Sequence, residues 1–306
     1  MPQNSIQPFD SEAYLSEVVP RLFSNAFSSV DTIWSQSGGL VMDVTSQTKQ
    51  NIYTFLAQAA GLEKWEGERQ IRQFDGHEFT VRNEKYTVTH GIDMDDLSDS
   101  SRIVDFNLLM EKEGQAAAEH KDQLIWEFLV SEGETAECYD GTPLLGAAHP
   151  LRDGTTFSNL ISGGGGPRDW YLLDTSSVDK GLLFQTRTPY EMRTLNAMED
   201  GNVHGFMEEE HLMGVRARVA VAPANPFRIF KSDDPLDADN FFKARSQMRS
   251  YKGDRGRPVR VRPNVLMVAP EDEKAALEIV QAGRNAAGAT NVLVGMAQVV
   301  VNEYLS

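Results

Sequence analysis

The sequence predicts an α+β fold, and three observations carry that expectation. Residues 65–92 alternate apolar and polar side chains with the period of a strand, whereas residues 103–130 place apolar side chains at helical spacing. Beyond them, strand and helix patterns follow one another without the regular alternation of a doubly wound sheet, and no internal repeat is visible. A hydrophobic fraction of 41% against 24% charged residues, over 306 residues, is enough for a sizeable core.

The elements follow in chain order. Tyr14, Val18, Leu22 and Ala26 recur at helical spacing, and the pattern breaks at Ser37, Gly38 and Gly39. Ile52, Phe55, Leu56 and Ala59 predict a second amphipathic helix, with Gly61 as its C-cap. The ribbon begins at Trp65. In it Phe79 and Val81 alternate with Glu78, Thr80 and Arg82, then Tyr86 and Val88 with Thr87 and Thr89. Asp75-Gly76 and Asn83-Glu84 are its turn signals. Such a polar ribbon is marginal alone in water, so it needs a surface to lie on, in its own domain or on another subunit. Asp95, Asp96, Asp99 and Ser100 suit a helix N-terminus. The long helix follows, striped by Phe106, Met110, Ala117, Leu124 and Phe128. At about 1.5 Å per residue it spans roughly 40 Å, the length of a spine.

Residues 138–167 read as loops, through Tyr139-Asp140-Gly141, His149-Pro150 and the run Gly163 to Gly166. Leu182, Leu183 and Phe184 predict a buried strand, and residues 215–221 a second one with Arg216 and Arg218 on one face. A helix is expected over 237–248, a strand pair over 259–268 around a Pro263-Asn264 turn, a helix over 271–281 and a closing strand over 292–304.

Candidate chemistry is sparse. The net charge is −16, from 45 acidic and 29 basic residues, which repels phosphate at long range and disfavours nucleic-acid recognition by the whole surface. Lys252, Arg255, Arg257, Arg260 and Arg262 form the best local basic stretch, read here as a solvated loop and strand edge. The single cysteine, Cys138, excludes an intramolecular disulfide, suits a reducing compartment and reads as a small buried apolar residue. The first residues lack the apolar core of a signal peptide, and no apolar run approaches the length of a membrane span, so no membrane partner is expected. The run Gly163 to Gly166 lacks the Lys-Ser/Thr of a phosphate loop. His204 and His211, with the acids between them, depart from the HExxH pattern and read as a solvated acidic loop, and His77-Glu78 has no second histidine at ligand spacing. His120 reads as a satisfied or interfacial histidine. No nucleophile elbow is present. We therefore expect no catalytic residue, cofactor or metal, and a role other than an enzyme's.

A string of short matches resembles a known family. Trp65-Glu66-Gly67-Glu68-Arg69 opens it, followed by Asn83, Tyr86, Gly91-Ile92-Asp93, Ala116-Ala117 and His120. Cys138-Tyr139-Asp140-Gly141, His149-Pro150, Trp170 to Asp174, Phe184-Gln185, Arg187, Gly214-Val215, Ala217-Arg218, Asn291, Val299 and Leu305 complete it. In that order they resemble the Mu-like major head subunit of tailed phages, from about Trp65 to the end of the chain. The resemblance implies the Hong Kong 97-like phage capsid fold, with an N-terminal arm (1–62), an extended β-ribbon loop (63–93) and a peripheral domain with spine helix (94–137). A mostly axial domain (138–288) and a C-terminal return to the peripheral domain (289–306) complete it.

The implied function is a major capsid protein that self-assembles into hexamers and pentamers of an icosahedral shell around double-stranded DNA, held non-specifically. Implied partners are other copies of the chain, a scaffold protein, a portal protein and a decoration protein. The place would be the virion, assembled in the bacterial host cytoplasm. The chain lacks a long charged helical N-terminal segment, which implies a separate scaffold or a chain already processed. Trp65, Glu66, Glu68, Arg69, Phe79 and Tyr86 are the expected interface residues, with Trp65 as an apolar anchor and Arg69 pairing with a neighbour's acids. An encapsulin-like compartment, a minor phage structural protein and an enzyme sited in the loops of 138–166 were the competing classes.

Overall fold

The computed structural model describes residues 10–55, 77–98, 103–151, 153–253, 256–284 and 288–306. They form two units. Unit 1 comprises residues 1–32, 83–122 and 186–219, and unit 2 comprises 33–82, 123–185 and 220–306.

Unit 1 opens with α1 (Ser11–Ala13), a wider π-helical turn (Tyr14–Val18) and α2 (Val19–Ser29). Asp10 caps the start, its carboxylate accepting from Ala13 N–H at 3.0 Å. The expected apolar stripe is real: Tyr14, Leu15, Val19, Phe23 and Ala26 are buried.

At the far side of residue 29 the pattern breaks as expected, with Ser37, Gly38 and Gly39 all at positive φ. In unit 2, β1 (Met42–Thr45) is followed by β2 (Gln50–Phe55). The helix expected around Ile52 and Phe55 is therefore a strand over its first part, while Leu56, Ala59 and Gly61 lie outside the described residues. The competing cause is tertiary. Tyr53 packs against Phe79, the rings tilted by 30° with centroids 5.6 Å apart, and donates its hydroxyl to Gln185 Oε1 at 2.5 Å.

The ribbon residues are strands, but their partners differ from a simple hairpin. β3 (His77–Arg82) pairs antiparallel with β2, whereas β4 (Glu84–Asp93) pairs with a later strand. Asn83 breaks the strand between them, but the turn expected at Asn83-Glu84 does not form, because Glu84 already belongs to β4, and Asp75-Gly76 lies outside the described residues.

In unit 1, Asp93 caps a short helix α3 (Met94–Ser98), accepting from the N–H groups of Asp95 and Asp96, while Asp99 and Ser100, expected at the start of the long helix, lie outside the described residues. The spine is α4 (Ile103–Glu132). Its deepest line in unit 1 runs through Met110, Gly114, Ala117 and Ala118. Gly114 allows the crossing with α2: a Cβ there would sit 2.5 Å from the Phe23 carbonyl oxygen.

Unit 2 then adds the short strands β5 (His149–Pro150), β6 (Thr156–Phe157) and β7 (Leu160–Ile161) within the expected loops. β8 (Trp170–Leu173) is buried on both faces, as a continuous apolar run requires. β9 (Leu182–Leu195) begins in unit 2 and continues into unit 1, where α5 (Val203–Glu208) and β10 (Glu210–Pro223) follow. β10 pairs antiparallel with β4 from Glu210↔Asp93 to Val219↔Glu84, and β9 borders its other edge.

The rest of unit 2 comprises β11 (Ile229–Ser232), α6 (Ala238–Arg249), β12 (Val265–Val268), α7 (Glu273–Val280) and β13 (Gln298–Val301). Its five-stranded sheet has the order β13-β12-β8-β11-β7, and the largest core, around Trp170, Leu172, Phe227, Phe241 and Leu266, packs on it. The helix expected over 237–248 is α6, with Asp237 as its N-cap. Two expectations shrink. Of the strand pair over 259–268 only β12 forms, because the two prolines Pro258 and Pro263 withhold ladder donors. Of the closing strand over 292–304 only β13 forms.

Candidate assembly surfaces

The open face of the unit 1 sheet is set by strand alternation. On β10, His211, Met213, Val215 and Ala217 point into the core, so Leu212, Gly214, Arg216 and Arg218 take the other face. The register puts Thr87 opposite Arg216 and Lys85 opposite Arg218. Arg193 joins this face from β9 and pairs with Glu191 at 2.9 Å. Among the described residues, no carboxylate lies within ion-pair distance of Lys85, Arg216 or Arg218, and Arg218 Nε is buried with no hydrogen-bond partner. Leu195, Leu212 and Gly214 line a shallow furrow of about 370 Å³ between Arg193, Arg216, Thr87 and Thr89. In a chain with net charge −16, this face concentrates cations around an apolar groove.

The β9–β10 connection carries the opposite chemistry. Met198, Val203, Phe206 and Met207 are 73%, 73%, 84% and 68% exposed. The acids Glu199, Asp200, Glu208 and Glu209 surround them, all exposed. The segment from His204 to His211 is thus a short helix running into a strand, which corrects the loop expectation. The tip is built firmly. Asn202 caps α5, accepting from Gly205 N–H at 3.1 Å and donating to the Asn196 carbonyl at 2.9 Å. Gly205 lies against Ala197, where a Cβ would come within 2.2 Å of a backbone oxygen. His211 is buried, and its Nδ1 accepts from Ala197 N–H at 3.0 Å. Burial pushes the His211 pKa down, against the pull of Asp93. Among the described residues no cluster of three metal-ligating side chains exists.

The expected interface residues fall unevenly. Trp65, Glu66, Glu68 and Arg69 lie outside the described residues. Phe79 is half-buried against Tyr53 beside Val81 and Leu183. Tyr86 lies edge-on to His120 at 4.7 Å, and His120 Nδ1 is 2.8 Å from the Tyr190 hydroxyl, so His120 is a satisfied residue of unit 1. Lys252, Arg257, Arg260 and Arg262 are exposed, as a solvated edge requires, and Arg255 lies outside the described residues. Cys138 is buried and its thiol donates to the Ala224 carbonyl; burial pushes its pKa up, which makes it inert.

Two buried polar clusters in unit 2 escaped the sequence reading. His149 is wholly buried, with Nδ1 2.8 Å from Asp140 Oδ2 and Nε2 3.1 Å from Asn159 Oδ1. The Asn159 amide nitrogen donates to the carbonyls of Leu144 and Pro226, so its oxygen faces the ring. Burial pushes the Asp140 pKa up, but hydrogen bonds from His149 and Thr142 outweigh it and hold the carboxyl below its usual range. His149 also stacks on Phe157, which stacks on Phe227. The second cluster centres on Arg228, which donates to Asp174 Oδ2 at 2.6 Å and Asp179 Oδ2 at 3.3 Å. The signals were present as Cys138-Tyr139-Asp140-Gly141, His149-Pro150 and Asp174, but nothing in one sequence joins them in space.

Comparison with known proteins gives one consistent result. The family described as Mu-like prophage major head subunit gpT matches residues 13–305. The major capsid protein of Escherichia phage Mu is 32% identical over 284 residues, 89% of this chain and 91% of that protein. The Mu-like prophage FluMu major head subunit of Haemophilus influenzae is 30% identical, over 81% of this chain and 82% of its own length. Among solved structures, a chain of the procapsid of bacteriophage JBD30 superposes with a TM-score of 0.75 at 29% identity, covering 97% of this chain and 100% of that one.

Proposed function

We infer how this chain works from one premise: it belongs to the Mu-like prophage major head subunit family, and is a major capsid protein of a tailed bacteriophage with a Hong Kong 97-like fold. Its role is structural, and copies of it associate with one another in the capsid of a virion. Beyond that premise, the copies form hexamers and pentamers of a closed shell around double-stranded DNA, held without sequence preference. Scaffold and portal proteins assist assembly in the host cytoplasm, and a decoration protein binds outside. The observation that carries this reading is in unit 1. Among the described residues, four large apolar side chains stand exposed at one tip and three cations on one sheet face have no carboxylate partner, surfaces that association would cover.

The ribbon of residues 63–93 supplies a further contact to the neighbouring subunit. Trp65, Glu66, Glu68 and Arg69 make it, with Phe79 and Tyr86 anchoring the strands behind them. Electron microscopy of the purified chain, alone and with a candidate scaffold, tests the shell. Closed shells, or rings of five or six subunits, are expected; small monomers under every condition overturn it. Arg69→Glu is expected to impair assembly while leaving the monomer's circular dichroism unchanged. An unfolded variant would assign Arg69 to the fold instead.

A further inference from the structure

We propose that the apolar, acidic tip between β9 and β10 of one copy docks on the basic open face of the β9–β10–β4 sheet of a second copy. This rests on the reading that the chain associates with itself, and it names the two surfaces that meet.

The complementarity is double. Phe206 and Met207 protrude from α5 and are not covered by the described residues of their unit, and Leu195 and Leu212 line a furrow open to solvent. Glu208 and Glu209 flank the first pair, while Arg193 and Arg216 line the furrow and Arg218 follows Arg216 on the same face of β10. An apolar contact ringed by opposite charges has the form of an energetic centre inside a polar rim.

A second copy is the occupant that the charge favours. The chain carries −16 overall, so its average surface is acidic, and the tip is acidic and apolar at once. A phosphate backbone would satisfy the arginines but leave the leucine-lined furrow unfilled. The two surfaces are different parts of the same chain, so the contact is head-to-tail. Repeated around an axis, such a contact closes a ring, which is what a shell built from one chain requires. The build of the tip agrees. Gly205 on Ala197 and the Asn202 cap hold α5 in one place, which lowers the ordering cost of docking it.

The test is a charge swap on the full chain. Arg216→Glu with Arg218→Glu, and separately Glu208→Lys with Glu209→Lys, should each weaken self-association about tenfold by sedimentation velocity at low salt. Mixing the two variant chains should restore it, because each supplies the other's missing partner. High salt should weaken the wild type towards the variants. Binding of a short DNA duplex to the basic-face variant is measured in parallel.

Three outcomes overturn the proposal. They are tip variants that associate as wild type does while face variants fail; a mixture that does not recover; and a basic-face change that abolishes duplex binding but leaves self-association intact, which would assign the face to nucleic acid. Phe206→Ser serves as a second variant that cannot unfold the chain through a lost core contact, since Phe206 is 84% exposed. It should also weaken association, and wild-type behaviour from it rejects the tip. Wild-type shells scored by microscopy in the same buffer test self-assembly separately, so its failure is distinguishable from failure of this contact.

Discussion

Replacing His149 with leucine should destabilise unit 2 by about 3 kcal/mol, and the cause is electrostatic more than volumetric. The ring is wholly buried, and each of its nitrogens faces an acceptor. Leucine fills most of the space and supplies no donor. Asp140 then keeps the Thr142 amide and hydroxyl on Oδ1 but loses its partner on Oδ2, and Asn159 Oδ1 keeps only the Gly146 amide. Breaking a buried pair by removing one partner costs about 3–5 kcal/mol, and the surviving bonds hold this case to the lower end. Hydrogen exchange over residues 138–160, read alongside urea unfolding, measures the loss. A double-mutant cycle with Asp140→Asn should return a coupling of about 1–3 kcal/mol. The pH dependence has a definite sign. The folded Asp140 carboxyl lies below its ordinary range, so its contribution is complete above about pH 4 and disappears as the pH falls through the folded value. Asp140→Asn should remove that acid limb. A loss under about 1 kcal/mol for His149→Leu, or no coupling in the cycle, would refute the view that this cluster ties the loops together.

Other perturbations test other parts. Gly205→Ala forces a Cβ against the Ala197 backbone, which cannot yield as a side chain would, and should cost about 1–3 kcal/mol, seen as faster exchange confined to residues 196–210. His211 has a lowered folded pKa, so its stabilisation of the tip is complete above about pH 6.5 and is lost as the pH falls through the folded value; exchange at the Ala197 amide should accelerate on acidification, and a flat profile would remove His211 from the tip. Cys138 should resist thiol reagents in the native chain and react fully in denaturant; rapid native labelling would contradict its burial.

The parts legible in the sequence were those fixed by local period. Met110 and Ala117 stand on the buried side of α4, and Leu182, Leu183 and Phe184 are buried at the start of β9. The helix expected over 237–248 forms as α6. Partner choice was not legible. Alternation tells which face a residue takes and says nothing of which strand lies beside it, so β3 on β2 and β4 on β10 emerge only in the structure. The span 50–55 misled because Ile52 and Phe55 fit helical spacing, while the deciding contacts, Tyr53 with Phe79 and Gln185, are remote in sequence. The tip was misread for a related reason. Gly205 weakens a free helix, yet here the missing side chain is what lets α5 lie on Ala197.

Two arginine settings, one in each unit, separate stability from association. In unit 2, Arg228 is 11% exposed and held by Asp174, Asp179 and the Arg260 carbonyl, so its charge is neutralised inside the fold. In unit 1, Arg216 and Arg218 lie half-buried on the sheet face, with no carboxylate within ion-pair distance among the described residues. Arg228→Met would leave the wholly buried Asp174 with Ser176 on Oδ1 and only the Arg262 amide on Oδ2, an uncompensated buried charge that should cost about 3–5 kcal/mol. Arg218 is half-buried and holds no carboxylate partner, so Arg218→Met orphans no buried acid and should change stability by less than about 1 kcal/mol. Assembly should respond in reverse. At temperatures where both variants are folded, Arg228→Met should associate as the wild type does and Arg218→Met should not. Equal effects of the two substitutions on unfolding and on association would show that the charges of unit 1 serve the fold alone.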